Sequence, residues 1–265
     1  MHNKLKYIQD YAASQSISFE NTINKLISLA SPLMLSESSK EDIAFDVLMS
    51  MYEMQVPQYL YHGTPNGIIG NIKPESNIIS DFGQGFYTAE LLEYAESMSI
   101  KRDDCGFVYK LSCNSNGLTV FDFKGDIEFW ALYTAANRGY FDVKEYSKLK
   151  SKIDNLNNYD ILIGLISDDR SAHVYNQFFN SAITDICMVE CIKYYDLGKQ
   201  FVFKTQKACD SIEIINKHSN TAEDVKRITH IKGVRLGKTV GIVEQLKVKY
   251  ESTGLRLHAV LEKYR

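Results

Sequence analysis

The sequence predicts an α+β protein, and three observations lead to that prediction. Short apolar segments with the alternation of β-strands recur between residues 57 and 218, and segments of helical periodicity separate them. Residues 1–56 show helical periodicity alone. Residues 226–265 carry ten Lys or Arg against three Glu, a charge of +7, which leaves −10 for the rest of a chain whose net charge is −3. We therefore expect an N-terminal helical segment (1–56), a central mixed domain (57–218) and a basic helical C-terminal segment (219–265).

The N-terminal prediction depends on two amphipathic stretches. Residues 19–29 repeat their apolar positions with a helical period, and Pro32 ends the stretch because proline cannot continue a helix. Residues 38–41, Ser-Ser-Lys-Glu, have the spacing of a capping box before a second helical face. Pro57 marks the boundary with the first predicted strand, residues 58–62.

The central domain shows further strands and a capped helix. Asp126 is placed to cap a helix that carries Phe129 and Trp130 and closes near Gly139. A nearly continuous apolar run at 159–166 suits a buried strand. The other predicted strands are residues 106–112, 118–123, 200–204 and 211–215.

Length and composition limit the class of protein to which this chain can belong. A length of 265 residues suffices for one full core with a small accessory region. The five cysteines are odd in number and lack Cys-x-x-Cys spacing, so we expect reduced thiols in a cytoplasmic protein. No apolar run approaches the roughly 20 residues of a membrane span, and we expect no membrane partner. Cys209, His218 and His230 lack the close spacing of a zinc site, so no metal is expected.

Two short motifs in the central domain point to chemistry. The first, residues 60–64, reads Leu-Tyr-His-Gly-Thr and places an imidazole beside a glycine backbone. The second, residues 81–89, reads Asp-Phe-Gly-Gln-Gly-Phe-Tyr-Thr-Ala. Its Gly-x-Gly turn lets backbone approach a ligand closely, because glycine has no Cβ atom.

These two motifs resemble the ADP-ribosyltransferase superfamily, in the His-Tyr-Glu branch of diphtheria toxin and the poly(ADP-ribose) polymerases. Residues 81–88 are similar to a bacterial family of uncharacterised domains assigned to the same superfamily. The resemblance covers roughly residues 57–210 and is strongest over 60–90. It implies an ADP-ribosyltransferase-like split β-sheet core, two small antiparallel sheets packed face to face, with NAD bound as substrate in the cleft between them.

The resemblance also implies site residues. His62 would form a hydrogen bond with the adenosine ribose of NAD, and the Gly63 backbone would pair with the nicotinamide carboxamide. Tyr87 would stack on the nicotinamide ring. In the family a second tyrosine lies eleven residues later; that position here is Met98, and Tyr94 is the nearest replacement. The expected NAD-binding set is His62, Gly63, Thr64, Gly85, Phe86, Tyr87 and Tyr94.

The third catalytic position departs from the family. The glutamate that opens a late strand is matched here by Gln200, so the expected catalytic set is His62, Tyr87 and Gln200. Glutamine can hold a ribose hydroxyl, but it supplies no negative charge to an oxocarbenium-like transition state. Three explanations stay open. The acceptor brings its own nucleophile, Asp168 or Asp169 supplies the acid, or the protein binds NAD without turning it over.

The leading function is transfer of ADP-ribose from NAD to a macromolecular acceptor, a protein or a nucleic acid, in a bacterial toxin or phage-defence setting. The alternatives are a non-catalytic regulator that binds NAD or ADP-ribose, and an NAD glycohydrolase with water as acceptor. The basic segment is either a solvated helical face or a surface for nucleic acid or an acidic partner such as an antitoxin.

Overall fold

A computed structural model describes residues 5, 8–9, 12–13, 16–28, 39–44, 47, 56–77, 79–100, 105–166, 169–194 and 198–265, with backbone alone at 169–171, 193–194, 232 and 235–240. The chain divides into two compact units, Met1–Gln55 and Val56–Arg265. The basic segment 219–265 belongs to the second unit.

The first unit contains helix α1, Phe19–Ser28, and a helical stretch at residues 40–44. Thr22, Ile23 and Leu26 form the buried face of α1, as the periodicity predicts. The cap of the second stretch lies one residue later than expected. The Ser39 hydroxyl accepts from the Asp42 amide at 3.1 Å and donates to its carboxylate at 2.8 Å, while Ser38 lies outside the described residues.

The second unit is a sheet with helices. Its strands are β1 Tyr59–Thr64, β2 Phe86–Ala89, β3 Phe107–Cys113, β4 Val120–Asp122, β5 Ile161–Leu165, β6 Lys199–Phe203 and β7 Ile212–Ser219. Its helices are α2 Leu92–Ser99, α3 Ile127–Asn137, α4 Ser147–Asn155, α5 Asp169–Phe179, α6 Asp185–Tyr194, α7 Gln206–Cys209, α8 Ala222–Lys249 and α9 Leu257–Glu262. This arrangement confirms the α+β prediction, and Asp126 caps α3 by accepting from the Phe129 amide.

The strands form one sheet in the order β4-β5-β6-β2-β1-β3-β7. The expectation of two antiparallel sheets packed face to face is therefore wrong: all seven strands are joined, and β4 pairs with β5 in parallel. The join between β1 and β2 is nevertheless narrow. It has the single register pair Tyr61 with Ala89, whereas β1 pairs with β3 along all six of its residues.

Apolar side chains cover both faces of the sheet. One core contains Trp130, Tyr175, Phe178 and Val202, contributed by α3, α5 and β6. The core on the other face contains Leu60, Phe86, Tyr109, Phe201 and Phe203. Because side chains alternate along a strand, consecutive residues of β1, β2 and β6 face different cores.

Candidate functional site

His62 lies in β1, beside the narrow join with β2. Its Nδ1 is 2.6 Å from the carbonyl oxygen of Tyr87, and its ring stacks on Phe86 with centroids 4.4 Å apart. A carbonyl oxygen only accepts, so Nδ1 carries the proton of the neutral ring. Burial lowers the pKa of His62 below 6.5, despite the opposing effect of the Tyr87 hydrogen bond. At neutral pH the ring is therefore uncharged, with Nε2 as a hydrogen-bond acceptor.

A cavity of about 320 Å³ opens beside His62. Its walls are the segment from Gly67 to Ser76 and the residues Gly85 to Tyr87. The lining combines apolar isoleucines, Ile68, Ile69 and Ile72, with the polar groups of Asn71, Lys73, Glu75 and Ser76. This volume lies in the range of small-molecule sites, and a few polar groups on an apolar wall are typical of them.

Gly63 has a structural reason to be glycine. A Cβ atom at this position would lie 1.7 Å from the carbonyl oxygen of Ala95 in α2. Real Cβ atoms never approach backbone so closely, so α2 can cross β1 here only because the side chain is absent. The predicted contact of the Gly63 backbone with a carboxamide stays a prediction. Thr64, the last residue of β1, is half-buried and pairs with Phe107 of β3.

The turn before β2 is held by side-chain hydrogen bonds to its backbone. The Tyr87 hydroxyl accepts from the Phe82 amide at 2.8 Å and donates to the Gly83 carbonyl at 2.7 Å. Burial raises the pKa of this hydroxyl, which stays protonated. Lys204 donates to the carbonyl oxygens of Phe82 and Gln84, and burial lowers its pKa to about 8. These bonds fix the turn that precedes the cavity-lining residues Gly85 to Tyr87.

The Gln200 side chain is buried and hydrogen-bonded. It is 2% exposed, and its Nε2 donates to Asp81 Oδ2 at 3.1 Å and to the Leu165 carbonyl at 2.9 Å. Arg138 completes the group, since its Nε and Nη2 both donate to Asp81 Oδ1, at 3.0 and 2.6 Å. Asp81, Arg138 and Gln200 thus form a polar cluster, here called the Asp81 cluster.

The structure does not bring Gln200 and His62 to the same face of the sheet. Ala89 pairs with both Tyr61 and Gln200, and antiparallel partners share a face. His62 follows Tyr61 and points the other way. Tyr87 lies two residues before Ala89, so its ring is on the Gln200 face while its carbonyl oxygen reaches His62. Strand β2 therefore separates the cavity from the Asp81 cluster, and Tyr87 contacts both sides.

The remaining predicted residues are spread around this strand. Phe86 is buried under the His62 ring, and Gly85 borders the cavity. Tyr94, in α2, packs against the core that contains Trp130. Asp168 lies outside the described residues, and Asp169 begins α5 with only its backbone described.

The basic C-terminal segment makes several of its ion pairs inside its own unit. Arg227 pairs with Glu96 at 2.8 Å, and Lys263 pairs with Glu128 and Asp185 at 3.2 and 3.8 Å. These charges neutralise acidic groups of the same unit. The predicted docking of nucleic acid or an acidic partner stays a prediction.

The sequence gives no signal for the roles of Asp81, Arg138 and Lys204. Asp81 stands at the start of the second motif, where its position alone does not indicate its partners. Arg138 follows 57 residues later, and Gln200 lies 119 residues from Asp81, so no local spacing connects them. Lys204 ends a predicted strand and gave no signal of its own. Within the described part of the chain, no group of three or more His, Cys, Asp or Glu is close enough to hold a metal ion.

Residues 58–214 match the family described as a protein of unknown function, DUF3990. The chain belongs to this family. The matched region begins just before β1, contains His62, the cavity and the Asp81 cluster, and ends inside β7. Helix α8 lies beyond it. A search of curated proteins finds no match. Among the helices of the described residues, none is long and apolar enough to cross a membrane.

Proposed function

We propose that this member of the DUF3990 family binds NAD in the cavity beside His62 and transfers ADP-ribose from it to a macromolecular acceptor. The observation that supports the proposal most is the state of His62. Its ring is oriented by the Tyr87 carbonyl and neutral, and its Nε2 has no hydrogen-bond partner among the described residues. An oriented acceptor at the wall of a cavity suits a sugar hydroxyl, which donates one hydrogen bond.

The cavity walls suit the other parts of a nucleotide. The isoleucines at 68, 69 and 72 offer apolar surface to a heteroaromatic ring, while Lys73 carries a positive charge beside the cavity. Phosphate oxygens are favourable partners for such a lysine. Gly85 also borders the cavity, and its missing Cβ atom leaves room for the Val202 side chain, which a Cβ atom would approach within 2.5 Å.

The proposed reaction breaks the glycosidic bond between nicotinamide and ribose. Nicotinamide leaves with the bonding electrons, and an oxygen or nitrogen of the acceptor forms the new bond to C1 of the ribose while losing its proton. Positive charge develops on the ribose in the transition state, so fixed negative charge or oriented acceptors nearby lower the barrier.

A second function is favoured by one observation. Gln200, expected in the place of the catalytic glutamate, carries no charge and is buried with both donors of its amide engaged. This arrangement suits a protein that holds NAD or ADP-ribose without turnover, a regulator rather than an enzyme. Hydrolysis of NAD would break the same glycosidic bond, with water as the acceptor. The experiment below tests hydrolysis and transfer together.

The test uses the purified protein with NAD labelled in its adenylate half. Protein and NAD are incubated with and without a cell lysate, and the products are divided between protease and nuclease digestion. Transfer predicts label on a macromolecule and free nicotinamide, and the sensitive digestion identifies the acceptor class. Free ADP-ribose without a labelled acceptor indicates a glycohydrolase. Binding without release of nicotinamide establishes the regulator, and absence of binding contradicts both proposals.

A further inference from the structure

Two hydrogen bonds attach the cavity wall formed by residues 67–76 to the rest of the second unit. The Ile68 amide donates to the Tyr109 hydroxyl at 3.0 Å, and the Ile72 carbonyl oxygen accepts from Gln206 Nε2 at 3.0 Å. Tyr109 is 2% exposed, whereas Gln206 lies at the surface. Because water competes with the Gln206 bond, the Tyr109 bond is the stronger restraint on the wall.

Tyr109 stands beside His62 on the cavity side of the sheet. The two residues are direct partners in the pairing of β3 with β1, so their side chains share a face, and their ring centroids are 6.3 Å apart. Ile68, which the Tyr109 hydroxyl holds, lines the cavity together with His62. Tyr109 is not among the lining residues, so it can influence a ligand only through the wall that it supports.

Gly67 lets the wall lie close against Tyr109. Its φ is +78°, a conformation that favours glycine, and a Cβ atom there would lie 3.2 Å from the Tyr109 hydroxyl oxygen. On the other side of Ile68, Ile69 is 88% exposed and adds little packing. The place of the wall at Ile68 therefore depends on the hydrogen bond to Tyr109 and on the packing of the Ile68 side chain against the core that contains Tyr109.

We propose that Tyr109 is a positioning residue that fixes Ile68, and with it the cavity wall, in the conformation that binds NAD. This inference rests on the proposed function. A wall that is ordered in the free protein need not be ordered when the ligand binds, which improves affinity. The Tyr109 side chain takes no part in the chemical step, so its loss should weaken binding and leave turnover at saturating NAD unchanged.

The first test needs no ligand. In protein labelled with ¹⁵N-isoleucine, the Ile68 amide is the NMR signal that is missing in Ile68→Val. Tyr109→Phe keeps the ring and removes the hydroxyl that accepts from this amide, so exchange of the Ile68 amide with solvent should become about tenfold faster. The amide of Ile163, which is buried in the central strand β5, should exchange at the same rate in both proteins.

The second test measures the binding of NAD by calorimetry and the release of nicotinamide. Tyr109→Phe should raise the Kd about fivefold or more, while kcat at saturating NAD stays within about twofold. The control is Tyr264→Phe, which also removes one hydroxyl. That hydroxyl donates to Glu128 at 2.9 Å, and Tyr264 packs against the core on the opposite face of the sheet. The control should leave the Kd, kcat and the exchange of the Ile68 amide unchanged.

Unchanged exchange at Ile68 in Tyr109→Phe, or equal acceleration at Ile163, would overturn the attachment of the wall by Tyr109. Faster exchange at Ile68 with an unchanged Kd would overturn its role in binding, and so would a loss in kcat larger than the rise in Kd. If NAD binds without turnover, the Kd comparison alone decides.

The two tests separate this inference from the proposed function. If the wild-type protein binds no NAD, the proposed function fails and the role of Tyr109 toward NAD fails with it. The amide exchange still decides whether Tyr109 holds Ile68. If the wild type and Tyr109→Phe bind NAD equally, only the inference on Tyr109 fails.

Discussion

The two sides of strand β2 differ in how their polar groups are used. On the His62 side, a neutral ring with an available Nε2 borders a cavity of about 320 Å³. On the Gln200 side, Gln200 and Arg138 both donate to the Asp81 carboxylate, and Gln200 is 2% exposed. Matched buried groups stabilise a fold, whereas an available acceptor at a cavity wall is suited to a ligand. The comparison favours the His62 side as the place for the proposed ligand and a structural role for the Gln200 side.

The largest expected effect comes from Gly63→Ala. Its Cβ atom would lie 1.7 Å from the Ala95 carbonyl, and neither backbone can yield without moving α2. We expect a loss of more than about 4 kcal/mol in the free energy of unfolding, measured by urea denaturation.

The control for this substitution is Gly233→Ala in α8, where a Cβ atom meets nothing within 4 Å. Alanine is the better helix former there, so stability should rise by about 0.5–1 kcal/mol. A tolerated Gly63→Ala would show that α2 does not pack on β1 as described.

Gln200→Glu should have the next largest effect on stability. The substitution replaces a donor with an acceptor between Asp81 Oδ2 and the Leu165 carbonyl, 3.1 and 2.9 Å away. An unpaired buried charge typically costs about 3–5 kcal/mol. We expect a loss of that size in the free energy of unfolding.

Gln206→Glu provides a matched comparison for Gln200→Glu. Gln206 Nε2 also donates to a carbonyl and a carboxylate, those of Ile72 and Asp210, at 3.0 and 2.8 Å, but it is exposed. Water can solvate the new charge there, so a loss of about 1 kcal/mol or less is expected. Equal losses in the two variants would contradict the burial of the Asp81 cluster.

Tyr87→Phe should have a moderate effect. It removes the hydroxyl that bonds the Phe82 amide and the Gly83 carbonyl. A partly buried amide without a partner costs about 1–2 kcal/mol. The comparison is Tyr140→Phe, whose hydroxyl bonds Asn176 at an exposed position and should cost less than about 0.5 kcal/mol. Similar unfolding midpoints for the two variants would show that Tyr87 does not hold the turn.

The smallest expected effect is a dependence of stability on pH through His62. Its pKa in the folded protein is below the value of 6.5 taken for the unfolded chain, so below that pH the unfolded state binds more protons. The stability that the neutral His62 ring contributes is fully present above pH 6.5. It is lost as the pH falls from 6.5 through the pKa of His62 in the folded protein. Urea denaturation at several pH values should show this slope for the wild type and a smaller slope for His62→Gln. An unchanged slope would contradict the burial of the neutral ring.

The sequence predicts the class of the fold and most of its elements because their signals are local. Asp126 caps α3 as its spacing indicates, and the apolar run ending at Ile166 contains β5. Helix α8, Ala222–Lys249, lies within the predicted basic helical segment, 219–265. Strand β7 is longer than predicted. Its last residues escape prediction because an edge strand is mostly exposed and this polar end lacks alternation.

The site is harder to predict than the fold because its contacts are not local. The motif at 60–64 places His62 at a strand near a glycine, and the structure agrees. The sequence cannot show that His62 and Gln200 face opposite sides, since that depends on the register of β2 with β1 and β6. A shift of one residue in either register would place both side chains on the same face.

The central claim, that the cavity beside His62 binds NAD, is tested most directly by calorimetric titration of NAD into wild type, His62→Ala and His258→Ala. His258 is a control because its side chain is 82% exposed, in α9. We predict that His62→Ala weakens binding at least tenfold, about 1.4 kcal/mol, and that His258→Ala leaves the Kd unchanged. Equal affinity of all three proteins for NAD, or no binding by the wild type, would contradict the claim.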